Sequence, residues 1–463
     1  MDAALLHELG TVPELTTFAT VDELTAEFER LAARHPEACT LERVGRSRLG
    51  EQLQCLTVGD GGAHAIVFAM PHPHEPVGGL TTIHLATRLC EEADLRERLG
   101  LTWHVLPCVD PDGTRLNEGW LHGPFTRTNY ARHFYRPAPD EQVDWTFPFS
   151  YKRAYFDGVL PETVALMRLI DRTRPVFLCS LHNGEVGGVY YYLSRPEPRL
   201  YPLLQDIPAQ LGLPLDIGEP EQPHIEMLST SIFRTTSPRS AYDFAERAGL
   251  EPLHYGSGES SAGYAGRYGT LTLISEVPYW TNPCIGDASP SGNRYADALR
   301  EQAKELQDLA DRLSDTLRAV QPDLVSNSPF LRATRTFAVD GLARVREMDY
   351  RADLPDADRR ATVAEAHSLQ DTTHCFRLRY AGMLLRALDG ELAVGNGTPT
   401  IRAQRAALVE AYDTWCYEAE ESDVSEPIPI RKLVATQYGA LLGAAEHAMA
   451  AAWPAPVGRI ACA

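Results

Sequence analysis

His72, Glu75 and His182 are the residues of this chain whose types and spacing could do chemistry together. Each lies just past a short apolar run. Two neutral imidazoles and a carboxylate form a donor set that holds a catalytic zinc ion and leaves a fourth position for water. The first two sit in AIVFAMPHPHEPVGG, where Ala65 to Met70 reads as a buried strand that Pro71 stops. The third sits in PVFLCSLHNGEVGG, where Val176 to Leu181 is a second apolar run ending at a histidine. In GTLTLISEVPYW, the alternating run Thr270 to Ser275 brings Glu276 to the end of another strand. A carboxylate there suits a general base on metal-activated water and a general acid to a departing amine. A His-x-x-Glu pair arises readily among 15 histidines and 63 acidic residues. It gains weight only together with the third histidine and the second glutamate.

The elements that must position these groups are strands of one sheet. Apolar β-rich runs alternate with helical patterns from about residue 20 to 280, for instance a helix over Leu80 to Glu92 before a strand over Thr102 to Cys108, and a helix over Glu162 to Arg172 before the strand at Val176. This alternation predicts an α/β fold: a mixed open sheet covered by helices on both faces. In such sheets the crevice beyond the carboxyl ends of the strands is where ligands bind. Between His182 and Glu276, LGLPLDIGEPEQPHIEM reads as a loop insertion over that crevice.

The order of these motifs resembles that of the zinc metallocarboxypeptidases, over about Phe18 to Trp280. FATVDELTAEFERLAARHPEACTLERVGRSRLGEQLQCLTVG is similar to the family's opening helix, His-Pro and strand pair around a Gly-x-Ser-x-x-Gly turn. HPHE matches its His-x-x-Glu, VDPDG its Asn-Pro-Asp-Gly turn, SLHN its third ligand and LISEVPY the segment bearing its catalytic glutamate. The resemblance implies one Zn²⁺ per chain on His72, Glu75 and His182, with Glu276 as acid/base. It also implies Arg127 (in GPFTRTN) as the arginine that polarises the scissile carbonyl, a task suited to a permanently charged guanidinium. Arg132 (in NYARHF) or Arg136 (in HFYRP) would grip the substrate carboxylate, and Tyr255 would close over the bound chain end, with Tyr264 and Tyr268 as rivals for that tyrosine. Three departures stand out. The Asn-Arg pair of the family is here Ala131-Arg132 or Tyr135-Arg136, so an amide donor is missing. The aspartate beside the first zinc histidine aligns with Asn129, and the turn has Asp110 in place of Asn.

The chain has 463 residues, of which 44% are hydrophobic, enough for more than one domain and a substantial core. A formal charge of −20 with no basic stripe argues against nucleic acid or an anionic membrane as partner. No run approaches the roughly 18 apolar residues of a membrane span, and the start, MDAALLHELGTVPELTTF, lacks a basic secretion-signal head. Nine scattered cysteines suggest reduced thiols in a cytoplasm, and no inhibitory pro-segment is expected. Beyond TNPCIGDASPSGN the pattern turns helical, with Tyr295, Leu299, Leu306, Leu309, Leu313, Leu317 and Val320 on one face. Further helical stretches follow around Leu331 to Asp349, Val363 to Leu388, Ile401 to Glu420 and Ile430 to Trp453. A catalytic domain over residues 1–290 and an all-helical domain over 291–463 are therefore expected, the latter a possible surface for a homo-oligomer.

Three functions compete. A metallocarboxypeptidase would remove the C-terminal residue of a peptide or peptide-like metabolite, and a deacylase would cleave an N-acyl or side-chain amide of a small molecule. A non-catalytic binding protein would have no use for the proton shuttle that Glu276 supplies.

Overall fold

The computed structural model of the chain describes residues 2–222, 224–252, 256–422 and 425–452. The apolar runs pair into one mixed sheet. Nine of its ten strands are β1 (Cys39–Arg46), β2 (Gln52–Val58), β3 (Ala63–Ala69), β4 (Leu101–Leu106), β5 (Phe177–Val186), β6 (Tyr190–Leu193), β7 (Met227–Ser229), β8 (Ile232–Arg234) and β9 (Leu271–Thr281), and the two-residue strand Glu426–Pro427 pairs with the end of β9. Their spatial order is β1-β2-β4-β3-β5-β9-β6-β8-β7. The central four, β4, β3, β5 and β9, run parallel, and antiparallel strands flank them on both sides.

Parallel strands need cover on both faces, and the alternation of side chains supplies two apolar layers. Val67, Ala69, Cys179, Leu181, Leu273 and Val277 enter one layer with α1 (Val21–Arg34) and α2 (Val77–Glu91). Ile66, Phe68 and Leu178 enter the other, under Leu166, Leu169 and Ile170. Those last three belong to α4 (Pro161–Thr173), which follows α3 (Arg127–His133). The α1 helix starts on a capping box between Thr20 and Glu23, as its sequence signature requires.

Where the strands stop is the feature that creates a site. The sequence reading ends the second and third apolar runs at His182 and Glu276, but β5 and β9 continue. Glu276 pairs with His182, and the ladder goes on to Trp280 opposite Val186. Only β3 stops, at Ala69 opposite Leu181. The two residues therefore lie inside strands, beside the step left by the end of β3. At the next strand end, Asp110 caps the turn 111–115 by accepting from the Gly113 N–H, and burial pushes its carboxyl up to about 7. The cap uses one side-chain oxygen as acceptor, a role that Asn and Asp fill equally well.

Beyond residue 290, α5 (Tyr295–Val320), α6 (Pro329–Ala352), α7 (Val363–Ala393) and α8 (Pro399–Ser422) pack as a bundle around two apolar clusters. All seven residues read onto one face of α5 are buried. The last helix, α9 (Ile430–Ala452), behaves differently. Leu433 to Ala445 is buried without interruption, as befits a helix apolar all round, and it lies in the same layer as α2, on β5 and β9. The chain thus returns across the 290/291 division to finish the core of the sheet.

A buried ion network ties the bundle to the sheet. Glu185, near the end of β5, accepts from Arg127 at 3.1 and 3.0 Å through one oxygen and from Arg379 of α7 at 2.8 Å through the other. Arg127 also donates to Asp371 of α7 at 2.6 Å. Burial alone would raise the Glu185 carboxyl, but Arg379 and Arg127 hold it below the usual carboxylate range. Removing one member leaves buried charge uncompensated, so Glu185→Ala should cost about 3–5 kcal/mol of stability. Denaturant unfolding would read this as a lowered midpoint; a midpoint within error of wild type would deny the network its structural weight.

Candidate metal centre

The step beside β3 is where the three donor residues meet. After Ala69 the chain turns through Met70, whose φ of 55° is left-handed, and His72 and Glu75 follow in a tight turn closed by Glu75 N–H to the His72 carbonyl. Two ties fix this turn against the longer strands. The Tyr279 hydroxyl of β9 donates to the His74 carbonyl at 2.8 Å, and the Val77 N–H donates to the Asn183 side chain of β5 at 3.3 Å.

His72, Glu75 and His182 are all buried, and their ligand-type atoms lie within 4.8 Å of one another. His72 Nδ1 is 2.9 Å from Glu75 Oε1, and His182 Nδ1 is 3.0 Å from Glu75 Oε2. The two imidazoles meet edge to face, with centroids 4.8 Å apart. Glu75 Oε2 and His182 Nδ1 are inaccessible to solvent, yet neither makes a well-directed hydrogen bond. Buried polar atoms are normally paired, and two left without a partner 3.0 Å apart in a His-Glu-His set fit a divalent cation. The electrostatics agree. Burial pushes the His182 imidazole down, but the Glu75 and Glu276 carboxylates outweigh it and lift His182 to about 9. The site attracts positive charge.

Glu276 approaches from the neighbouring strand, its Oε1 3.7 Å from His182 Nδ1. Burial, reinforced by Glu75 and Glu221, raises its carboxyl well above the usual range. His182 is held from behind. Its Nε2 lies 2.8 Å from the Ser180 hydroxyl, which also lies 3.4 Å from Asp144, and Asp144 accepts from the Ser261 N–H at 2.8 Å. Partners on the far nitrogen of a ligand imidazole fix its orientation.

The arginines separate clearly in space. Arg136 reaches the centre: one terminal nitrogen is 3.2 Å from His72 Nε2, its Nε donates to Gln142 at 3.2 Å, and the guanidinium lies 5.2 Å from the Trp145 ring centre. Arg127 is directed instead into the network of Glu185 and Asp371. Arg132 is half exposed and pairs with Asp413 of α8 at 3.2 Å. Asn129, aligned with the aspartate beside the first histidine, uses its amide on the Pro124 carbonyl at 2.9 Å. Tyr264 and Tyr268 both donate to Asp171, at 2.8 and 2.9 Å, and Tyr255 lies outside the described residues. Ser180, Asp144 and Trp145 escaped the sequence reading. Of these only Ser180 had a local signal, being two residues before His182 on the same side of β5.

Residues 24–206 match the sequence profile of the zinc carboxypeptidase family. This part of the chain is similar to that family. The match contains all three donor residues and Arg136, but ends before Glu276. Carboxypeptidase B of Astacus astacus is 25% identical over 103 residues, which are 21% of this chain and 34% of that protein. The chain therefore spans about a third of the length of this curated relative. Among solved structures, carboxypeptidase A from Helicoverpa armigera is 14% identical, with 75% of this chain and 79% of that one covered and a TM-score of 0.38. A metallo-carboxypeptidase from Burkholderia cenocepacia is 15% identical, covering 71% and 68%, with a TM-score of 0.35.

Proposed function

We propose that the chain is a zinc-dependent amide hydrolase that cleaves the C-terminal bond of a peptide or peptide-like metabolite. The observation that carries this reading is the convergence of His72, Glu75 and His182, with the Glu276 carboxyl 3.7 Å from His182. The three would hold one Zn²⁺, which when bound supplies a water acidified to a pKa of about 7 and a Lewis acid for the carbonyl oxygen. Glu276 takes the proton and returns it to the departing nitrogen. Burial in a site that excludes bulk water lets one carboxyl act first as base and then as acid. Arg136, held by Gln142 and Trp145, presents N–H groups beside His72 and stabilises the negative charge that develops on the carbonyl oxygen. No covalent intermediate with the protein is needed. Zinc analysis of the purified protein, with mass spectrometry of a peptide panel, tests the whole. One zinc per chain and loss of a single terminal residue are expected; no bound metal and no cleavage would overturn it.

A deacylase is the second reading, favoured by the fate of the arginines. With Arg127 and Arg132 engaged elsewhere, Arg136 is the one member of the expected set beside the centre, and a carboxypeptidase needs a cation for the substrate carboxylate as well as one for the carbonyl. Arg136→Ala separates the two tasks. If Arg136 faces the developing oxyanion, kcat falls about 10²–10³-fold with KM little changed. If it grips a carboxylate, KM rises and kcat is the parameter that holds. Loss of an acyl group from N-acyl amino acids, with no trimming of peptides, would decide for the deacylase. The absence of a nucleic-acid or membrane partner stays part of this proposal, as does a cytoplasmic location; among the described residues no helix is long and apolar enough to cross a membrane.

A further inference from the structure

Gln437 is fully buried on α9, in a layer otherwise filled by residues such as Val434, Tyr438 and Leu441. Its Nε2 donates to the His182 carbonyl at 2.8 Å, across 255 positions of sequence, and to the Ser275 carbonyl at 3.4 Å. Its Oε1 accepts from the Thr81 hydroxyl at 2.8 Å. These partners are the backbone of a donor residue, the backbone just before Glu276, and the first turn and a half of α2, the helix that follows Glu75.

We propose that Gln437 is a positioning residue for the metal centre, in which one buried amide from the last helix locks β5, β9 and α2 together directly beneath His182, Glu276 and Glu75. The proposal rests on the reading of His72, Glu75 and His182 as zinc ligands. Two physical points support it. First, an amide is costly in an apolar layer unless every hydrogen bond is made, and packing alone would be served by Leu or Met. The three partners are two acceptors and one donor, a combination that a Gln side chain meets with its two N–H groups and one oxygen. Second, β3 stops opposite Leu181, so from His182 onward β5 has lost its strand neighbour on that side. A strand with one open side is free to shift, and the Gln437 bond falls on the first residue after the loss. His182 Nδ1 lies 3.0 Å from Glu75 and 3.7 Å from Glu276, so such a shift is felt at the centre.

The test is zinc affinity of the full chain, measured by competition with a chromophoric chelator, alongside melting temperature of the metal-free protein. Gln437→Met keeps the volume and removes the three hydrogen bonds. Zinc affinity should fall about 10–100-fold, the range for groups that orient metal ligands. Leu441→Ala, on the same helix and equally buried, should lower the melting temperature yet keep wild-type affinity. Thr81→Val, which removes only the bond to Oε1, should weaken zinc in the same direction by less, and it decides the matter if Gln437→Met does not fold. Wild-type affinity in Gln437→Met (or in Thr81→Val, where that variant decides) would overturn the assignment, as would an equal loss in Leu441→Ala. A wild-type protein that binds no zinc would instead remove the reading of the centre on which the proposal stands.

Discussion

Glu276→Gln protein should retain its zinc and lose turnover by about 10²–10⁴-fold, the usual share of a positioned acid/base group. The substitution keeps the shape of the side chain on β9 and its place opposite His182, but an amide can neither accept the proton nor return it. Folding should be undisturbed, because Glu276 is buried in its ionisable form at a cost: burial disfavours its charge and Glu75 adds repulsion. A neutral group there relieves both terms. Melting temperature, metal content and kcat measured together give the expected pattern of stable, loaded and inactive. An active Glu276→Gln protein would mean that another group moves the proton.

His182→Ala should abolish stoichiometric zinc binding and with it every zinc-dependent rise in melting temperature. Ligand bound only by the folded state stabilises by RT ln(1 + [L]/Kd), about 4 kcal/mol at a thousandfold excess over Kd, so wild type should show a large shift with added Zn²⁺ and the variant none. His182 is the sharpest choice among the three, because it is also the group whose positive charge answers the two carboxylates. Without it Glu75 and Glu276 face each other unrelieved, and one of them must take up a proton to stay buried. His72→Ala should also lose zinc but keep that answering charge. Equal zinc shifts in wild type and His182→Ala would place the metal elsewhere.

The sheet and the meeting of His72, Glu75 and His182 were legible because these residues sit just past uninterrupted apolar runs, and a run such as AIVFAM suits a buried strand. What the runs do not announce is where pairing stops. The continuation of β5 to Val186 and of β9 to Thr281 depends on each strand having the other as neighbour, a property of the pair. The arginines were illegible for a similar reason. Arg127, Arg132 and Arg136 are close in sequence, but the short helix α3 turns the first two toward α7 and α8 while the chain beyond it carries the third to His72. Direction is set by partners such as Asp371 and Asp413, more than 200 positions away. The amphipathic stripe of α5 predicted its bundle face correctly. The small-residue, all-round apolar α9 carried a signal too, since a helix without a polar side belongs inside, but the helix it would lie against could not be read from it.

The return of α9 to the sheet sets an order of assembly. During synthesis the amino-terminal part emerges first, and β3, β5 and β9 can pair as soon as Thr281 is free. The slab of core formed by Leu433 to Ala445 is still unmade at that moment, so the face of β5 and β9 beneath His182 and Glu276 stays open until α9 leaves the ribosome. A chain cut before Ile430 would still carry His72, Glu75, His182 and Glu276 but would lack the apolar layer that backs them.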